Sequence, residues 1–236
     1  MTLRANYCAT VISKSTADMQ EDSDQDDAER LLASSVIDGL VAVGGAVTPE
    51  SLLRAYRAGV FPWSSDPMVT WWSPDPRAIF EMERFHPSRS LRKRIRRAGW
   101  TFTVDRDFEG VMCQCAEPTP SRPTTWITGD FVAAYTELHR RGAAHSVEVY
   151  QEEELVGGLY GVSIGGFFGG ESMFHRRPDA SKAALAHLVQ HLRQRGFVLL
   201  DAQVPNPHLT SLGAVAISRD EYLARLRHAM ALPVVF

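Results

Sequence analysis

The order of signals in the last hundred residues constrains the fold most. Three apolar, strand-like runs follow Gly142: HSVEVYQ at 145–151, ELVGGLYGV at 154–162 and IGGFFGGESMF at 164–174. The pair Glu152-Glu153 leaves room for a tight hairpin between the first two. Residues 179–195 then carry Leu185, Leu188, Val189 and Leu192 at helical spacing, and Gly196 stops that helix. FVLLDAQV at 197–204 is a short, nearly continuous apolar run, as expected of a buried strand. Ser218 and Glu221 read as a capping box for a last helix with Tyr222, Leu223 and Leu226 turned inward. An antiparallel meander followed by a strand–helix–strand unit predicts an α+β domain, a mixed sheet flanked by helices.

Upstream, Thr48 is a good N-cap, Pro49 suits the first helical position and Gly59 the C′ position, so a helix is expected between them. VFPWSSDPMVTWWSPDPRAIF at 60–80 packs four prolines and three tryptophans into a short stretch, read as a rigid loop bearing aromatic platforms. A second helix, SRSLRKRIRRA at 88–98, has Leu91, Ile95 and Ala98 on one narrow stripe and closes at Gly99. A strand is expected at 101–104, a proline-rich loop around 117–125, and a helix at 130–141 with Phe131, Ala134, Tyr135 and Leu138 on one face. The chain is thus divided into an acidic, disordered tail (1–30), a small N-terminal domain (31–84) and a C-terminal domain (85–236). No apolar run is long enough for a membrane helix, and the N-terminus has no continuous apolar segment of the kind a secretory signal needs. Three cysteines give no disulfide framework. Cys113 and Cys115 lack a second ligand cluster and are expected as buried structural thiols, with no metal.

The formal net charge of −3 argues against a nucleic-acid binder only on average. Residues 1–30 hold seven acidic and three basic residues, which leaves 22 basic and 21 acidic in the remainder. Within that remainder, Arg84, Arg89, Arg92, Lys93, Arg94, Arg96 and Arg97 lie together with no acidic residue among them. Such a run is either a solvated helix face or a phosphate-binding surface. Surfaces normally mix signs, so the single sign favours an anionic partner contacted through its backbone.

Three further groups could carry chemistry. Trp63, Trp71, Trp72 and Trp126 lie on or beside loops, where they either anchor those loops or stack on a base. Glu171 interrupts an apolar strand and needs either a cation, with Arg77, Arg176 and Lys182 the candidates, or a catalytic purpose. Asp201 and Gln203 alternate with apolar residues and so share one face of a buried strand, with Asn206 and His208 in the loop after it. GxxxxGK[ST] and GxGxxG are both absent, and the junction HRRPDASK lacks the glycine-rich turn that cradles the pyrophosphate of acetyl-CoA.

Taken together, GLVAVGG (39–45), LLRAYRAGVFPW (52–63), WWSPDPRA (71–78), TWIT (125–128), AYTELHRRGAAHSVEV (134–149), ELVGGLYGV (154–162), GGESMF (169–174), DASKAAL (179–185) and LDAQVPNPHLTSLGAVAISRDEYL (200–223) closely resemble the leucyl/phenylalanyl-tRNA–protein transferases. The resemblance runs in order over about residues 36–227. It departs at the acidic N-terminal extension and at the proline-rich segment before Trp126. It implies a small N-terminal domain and a GNAT-like C-terminal domain. It also implies transfer of Leu, Phe and sometimes Met from aminoacyl-tRNA to proteins beginning with Arg or Lys, a tag for N-degron degradation, with no cofactor. Position by position, Trp63 and Trp126 match the aromatics that hold the terminal adenosine of tRNA. Leu159, Phe168, Met173, Leu185, Leu188 and Leu200 match the aminoacyl pocket, and Glu171, Asp201, Gln203 and Asn206 the polar catalytic group. Arg89, Arg92, Lys93, Arg94, Arg96 and Arg97 would carry the tRNA backbone. A cytoplasmic monomer is the default expectation. An acyl-CoA-dependent N-acyltransferase and a non-catalytic RNA-binding module stand as the alternatives.

Overall fold

The computed structural model describes residues 39–65, 68–119 and 123–236. The acidic tail lies outside these residues. In chain order the elements are β1 (Leu40–Val43), α1 (Pro49–Arg57), β2 (Phe61–Ser65), β3 (Met68–Trp72), β4 (Arg77–Phe80), a 3-10 turn (Met82–Arg84), α2 (Arg89–Arg97), β5 (Trp100–Val104), α3 (Phe108–Ala116), α4 (Gly129–Arg140), β6 (Ala144–Gln151), β7 (Glu154–Ile164), β8 (Phe167–His175), α5 (Ala180–Arg195), β9 (Leu199–Gln203), α6 (Pro207–Ser211), β10 (Ala214–Ile217) and α7 (Arg219–Met230). They form two sheets, one of three strands ordered β1-β3-β2 and one of seven ordered β10-β4-β9-β8-β7-β6-β5.

The larger sheet is mixed, as expected. β5 to β8 run antiparallel in sequence, and β8 pairs with β9 in parallel across α5. β4 and β10 extend it beyond β9. The stretch at 60–80 is therefore no simple loop: it supplies the β2–β3 hairpin and then β4, whose four residues are all buried. β4 lies before residue 84 yet pairs with β9, so the expected boundary at 84/85 falls after a strand of the large sheet. Helix α3 was also not anticipated. Asp107 caps it by accepting from the Gly110 N–H at 3.1 Å, and Phe108, Val111, Met112 and Cys115 bury its inner face.

Local chemistry explains the remaining boundaries. Thr48 and Ser51 exchange hydrogen bonds in a full capping box at the start of α1. Gly59 ends the turn after α1 with φ 77°, where an added Cβ would stand 2.4 Å from Leu223. At Gly157 an added Cβ would meet Ala180 at 2.6 Å, so a glycine there lets the start of α5 sit directly against β7. Two buried clusters fill the two faces of the large sheet region. One centres on Tyr56, Phe131, Tyr135, Tyr160 and Phe167, the other on Leu159, Phe168, Leu185, Leu188 and Leu200. Cys115 is a buried free thiol, as expected. Among the described residues no helix is long and apolar enough to cross a membrane.

Candidate active site

A cavity of about 300 Å³ opens where the end of β9 meets β8, α5 and the β2 strand of the small sheet. Its apolar part is lined by Leu159, Met173, Leu185, Leu188 and Leu200, with Phe80 and Tyr160 beside them. Phe168 is wholly buried in the core cluster shared with Leu159 and Leu200 rather than in the lining. Trp63, 44% exposed, and Trp126, packed edge-on against Phe131 at 5.3 Å, both line the cavity. Trp71 and Trp72 do not. The Trp71 indole N–H donates to Gly44 O at 2.9 Å and that of Trp72 to Thr70 Oγ1 at 2.8 Å, so these two anchor the small sheet.

The polar wall comes from neighbouring strands. Glu171 on β8 and Gln203 at the end of β9 meet directly, Gln203 Nε2 donating to Glu171 Oε1 at 2.8 Å. The Tyr135 hydroxyl donates to Glu171 Oε2 at 3.1 Å, and the Tyr56 hydroxyl bonds that of Tyr135 in turn. None of the three anticipated cations pairs with Glu171. Arg77 is taken by Asp201, Arg176 by Gln114 and Glu117, and Lys182 by Asp179. A carboxylate shielded from much of the solvent and without a paired cation favours its neutral form. Burial accordingly pushes Glu171 up to about 7, against the pull of the Tyr56 and Tyr135 hydroxyls. Burial also raises both tyrosines well above their usual value, so they remain hydrogen-bond donors.

Asp201 is 1% exposed and forms a bidentate pair with Arg77, at 2.9 Å from Nε and 2.6 Å from Nη2. Tyr222 adds a hydroxyl donor at 3.0 Å. The second role of Asp201 is on the main chain, since its Oδ1 accepts the Gln203 N–H at 2.9 Å. Asp201 therefore orients Gln203 through the backbone, while Glu171 holds the carboxamide. Gln203 sits at φ 63°, in the left-handed region that a residue with a side chain adopts only when held there. Asn206 lines the cavity and caps α6, its Oδ1 accepting the Leu209 N–H at 2.9 Å; His208 lies beside it.

The six cations of α2 are all exposed. Arg89, Lys93, Arg96 and Arg97, with Ser90, line a shallow open concavity. Arg94 is directed elsewhere: its Nε reaches Asp179 at 3.0 Å, which ties α2 to the start of α5. Asp105, His139 and His145 bring possible metal-ligand atoms together, but their facing atoms are already satisfied. His145 Nδ1 meets Asp105 at 2.7 Å, His139 Nδ1 meets Ala144 O at 2.9 Å, and the Ser146 N–H donates to Asp105 at 2.9 Å. None of the three lines the cavity.

The cavity thus unites Trp63, Trp126, five of the six apolar positions and the whole polar group named from the sequence. Behind the lining stand residues that sequence reasoning did not place in the polar group: Tyr135 and Tyr56 support Glu171, and Tyr222 and Arg77 brace Asp201. The tyrosines read as ordinary inward residues on helices, and no sequence signal separates them from core. Arg77 stands in the WWSPDPR motif and is a candidate cation for Glu171 in the sequence, whereas the structure gives it to Asp201.

Residues 79–227 match the family model described as leucyl/phenylalanyl-tRNA protein transferase, and residues 45–75 match its N-terminal domain. A leucyl/phenylalanyl-tRNA–protein transferase of Shewanella sp. (strain W3-18-1) is 53% identical over 196 residues, covering 83% of each chain. That of Shewanella baltica (strain OS185) is 52% identical over 204 residues, covering 86% of each. Among solved structures, a ribosomal-protein-alanine N-acetyltransferase from Brucella melitensis biovar Abortus 2308 aligns at a TM-score of 0.37 and 15% identity, covering 51% of this chain and 94% of that one.

Proposed function

The chain belongs to the leucyl/phenylalanyl-tRNA–protein transferase family, and from that premise we propose that it transfers leucine or phenylalanine, and methionine as a near-isostere, from aminoacyl-tRNA to the α-amine of proteins beginning with Arg or Lys. Such tagging marks the acceptors for N-degron degradation in the cytoplasm. The observation that carries this reading is the single cavity in which two tryptophans, an apolar pocket and the Glu171–Gln203 pair converge.

Each part of the cavity has a role set by its chemistry. Trp63 and Trp126 stack on the terminal adenosine, a contact worth about 1–3 kcal/mol per base. Leu159, Met173, Leu185, Leu188 and Leu200 receive the aminoacyl side chain, with Phe168 backing them from the core. Polar side chains are excluded because nothing in that part of the pocket replaces their water. Met differs little from Leu in such a pocket, since near-isosteric apolar groups separate by only about 1–3 kcal/mol.

The ester arrives already activated, so no nucleotide is required. A free α-amine has a pKa near 7.7–8.0, and a useful fraction is neutral at physiological pH. Gln203 Nε2 is committed to Glu171, which leaves the carboxamide oxygen to accept a hydrogen bond from the attacking nitrogen. The nitrogen adds to the ester carbonyl, the new C–N bond forms and the C–O bond to the terminal ribose breaks. One amine proton ends on the released ribose oxygen. Positioning and stabilisation of developing charge supply the acceleration. Glu171, ionised above neutrality, lines the cavity as an acidic group that an acceptor's basic side chain can meet, and Asn206 with His208 borders the same opening.

The exposed cations of α2 carry the tRNA body through phosphate contacts, with Arg89, Arg92, Lys93, Arg96 and Arg97 pointing outward and Arg94 shared with Asp179. The direct assay supplies radiolabelled Leu-tRNA and two proteins that differ only in an N-terminal Arg or Ala. Label on the Arg protein alone supports the reading. Label on neither, with tRNA still bound, rejects transfer and leaves RNA binding.

A further inference from the structure

Arg77 is 1% exposed, yet its guanidinium touches three separate parts of the molecule. Nε and Nη2 grip Asp201 on β9, and Nη2 also reaches the Tyr222 hydroxyl of α7 at 3.2 Å. Nη1 donates to Gly59 O at 3.1 Å, at the turn that leads from α1 into β2. The guanidinium also lies over the rings of Phe61 and Tyr222, at 4.8 and 4.3 Å. Phe61 is two residues from Trp63 on the same strand, and Asp201 holds the main chain of Gln203. One side chain therefore joins the strand that carries the indole platform to the strand end that carries the carboxamide.

We propose that Arg77 is a positioning residue for the transfer reaction, setting the spacing between Trp63 and the Gln203 carboxamide. This rests on the reading above, in which Trp63 holds the adenosine and Gln203 meets the amine. A buried ion pair is a weak source of stability, because its desolvation offsets most of its attraction. Its bidentate geometry, however, fixes direction as well as distance. That direction matters here because Gln203 occupies a left-handed backbone conformation that relaxes once its N–H loses a rigid acceptor. Lysine cannot substitute. A single ammonium cannot grip both Asp201 oxygens and also reach Gly59 O with the planar fork that stacks on Phe61 and Tyr222.

The experiment compares Arg77→Lys, Tyr222→Phe and Gln203→Ala with Met112→Ala, which empties a buried position outside the cavity and serves as a control for loss of stability. Transfer is measured from Leu-tRNA and from a minimal leucyl-adenosine, below the unfolding midpoint of every variant. We expect R77K to lower kcat by about tenfold to a hundredfold on both donors, with KM for Leu-tRNA within about threefold, because misplacement of reacting groups by about 1 Å has that order of effect. Y222F, which removes one hydroxyl bridge, should lower kcat by a smaller factor with little change in Tm. M112A should lose Tm and keep kcat. In both R77K and Y222F the Gln203 backbone amide proton should shift upfield in NMR as its bond to the carboxylate loosens.

Values of kcat in R77K and Y222F matching that of M112A would overturn the positioning role, whatever their Tm. Should R77K not fold, Y222F decides alone by the same comparison. A wild-type kcat in Q203A would instead remove the reading that Gln203 meets the amine. A defective Q203A beside an unaffected R77K would remove the role of Arg77 alone.

Discussion

Glu171 and Gln203 face one another from the neighbouring parallel strands β8 and β9, joined by a 2.8 Å hydrogen bond from the carboxamide nitrogen to the carboxylate. That bond orients the carboxamide and, in the proposed mechanism, leaves its oxygen free for the incoming amine. Gln203→Ala should then reduce kcat by about a hundredfold to a thousandfold, the usual scale for losing one preorganised polar group, with little effect on tRNA affinity. Equal losses in turnover and affinity, measured by steady-state transfer and filter binding, would contradict the role.

Glu171 also links stability to pH. Its folded-state value, about 7, lies above its ordinary 4.5, so the folded protein binds the extra proton more tightly than the unfolded chain. The contribution of Glu171 is fully present below about pH 4.5 and is lost as pH rises through 7. Glu171→Gln mimics the protonated form and lacks this dependence. Urea unfolding should show wild type losing about 3 kcal/mol relative to E171Q between pH 4.5 and pH 8.5. A constant difference across that range would place the proton elsewhere.

The cations of α2 should act on tRNA and not on chemistry. Arg89→Ala with Arg97→Ala leaves the Arg94–Asp179 pair intact. The double variant should raise KM for Leu-tRNA and flatten the slope of log affinity against log salt by about one to two units. Transfer from a minimal leucyl-adenosine should be unchanged, and a matching loss there would assign α2 a structural role.

Pocket shape should govern the donor side chain. Leu185 lines the apolar part of the cavity and is 5% exposed. Leu185→Ala should cost about 2–5 kcal/mol of stability by leaving a void. Leucine, now underpacked, should lose kcat/KM by about tenfold or more relative to phenylalanine. An unchanged Leu-to-Phe ratio would place the aminoacyl group elsewhere.

Much of this architecture was legible from periodicity. The meander β6–β7–β8, α5 and β9 carry strong apolar patterns between clear stop signals, and they lie within a few residues of expectation. β2, β3 and β4 were hidden because prolines and tryptophans outweighed a strand pattern too short to register, and their pairing is decided by partners distant in sequence. The cavity-lining residues were named through motif resemblance, since Trp63 and Trp126 lie 63 residues apart and nothing local joins them. The bracing of Asp201 by Arg77 is not legible in the sequence for a related reason. An Arg in a loop-like motif and an Asp in a buried strand, 124 positions apart, become partners only once β4 lies beside β9.

The most direct measurement is a crystal structure with a non-hydrolysable 3′-amide analogue of leucyl-adenosine. The adenine should lie against Trp63 and Trp126, the leucyl side chain among Leu159, Met173, Leu185, Leu188 and Leu200, and the amide carbonyl within reach of a nitrogen held by Gln203. A leucyl group bound outside that pocket, or an adenine in contact with neither tryptophan, would contradict the account.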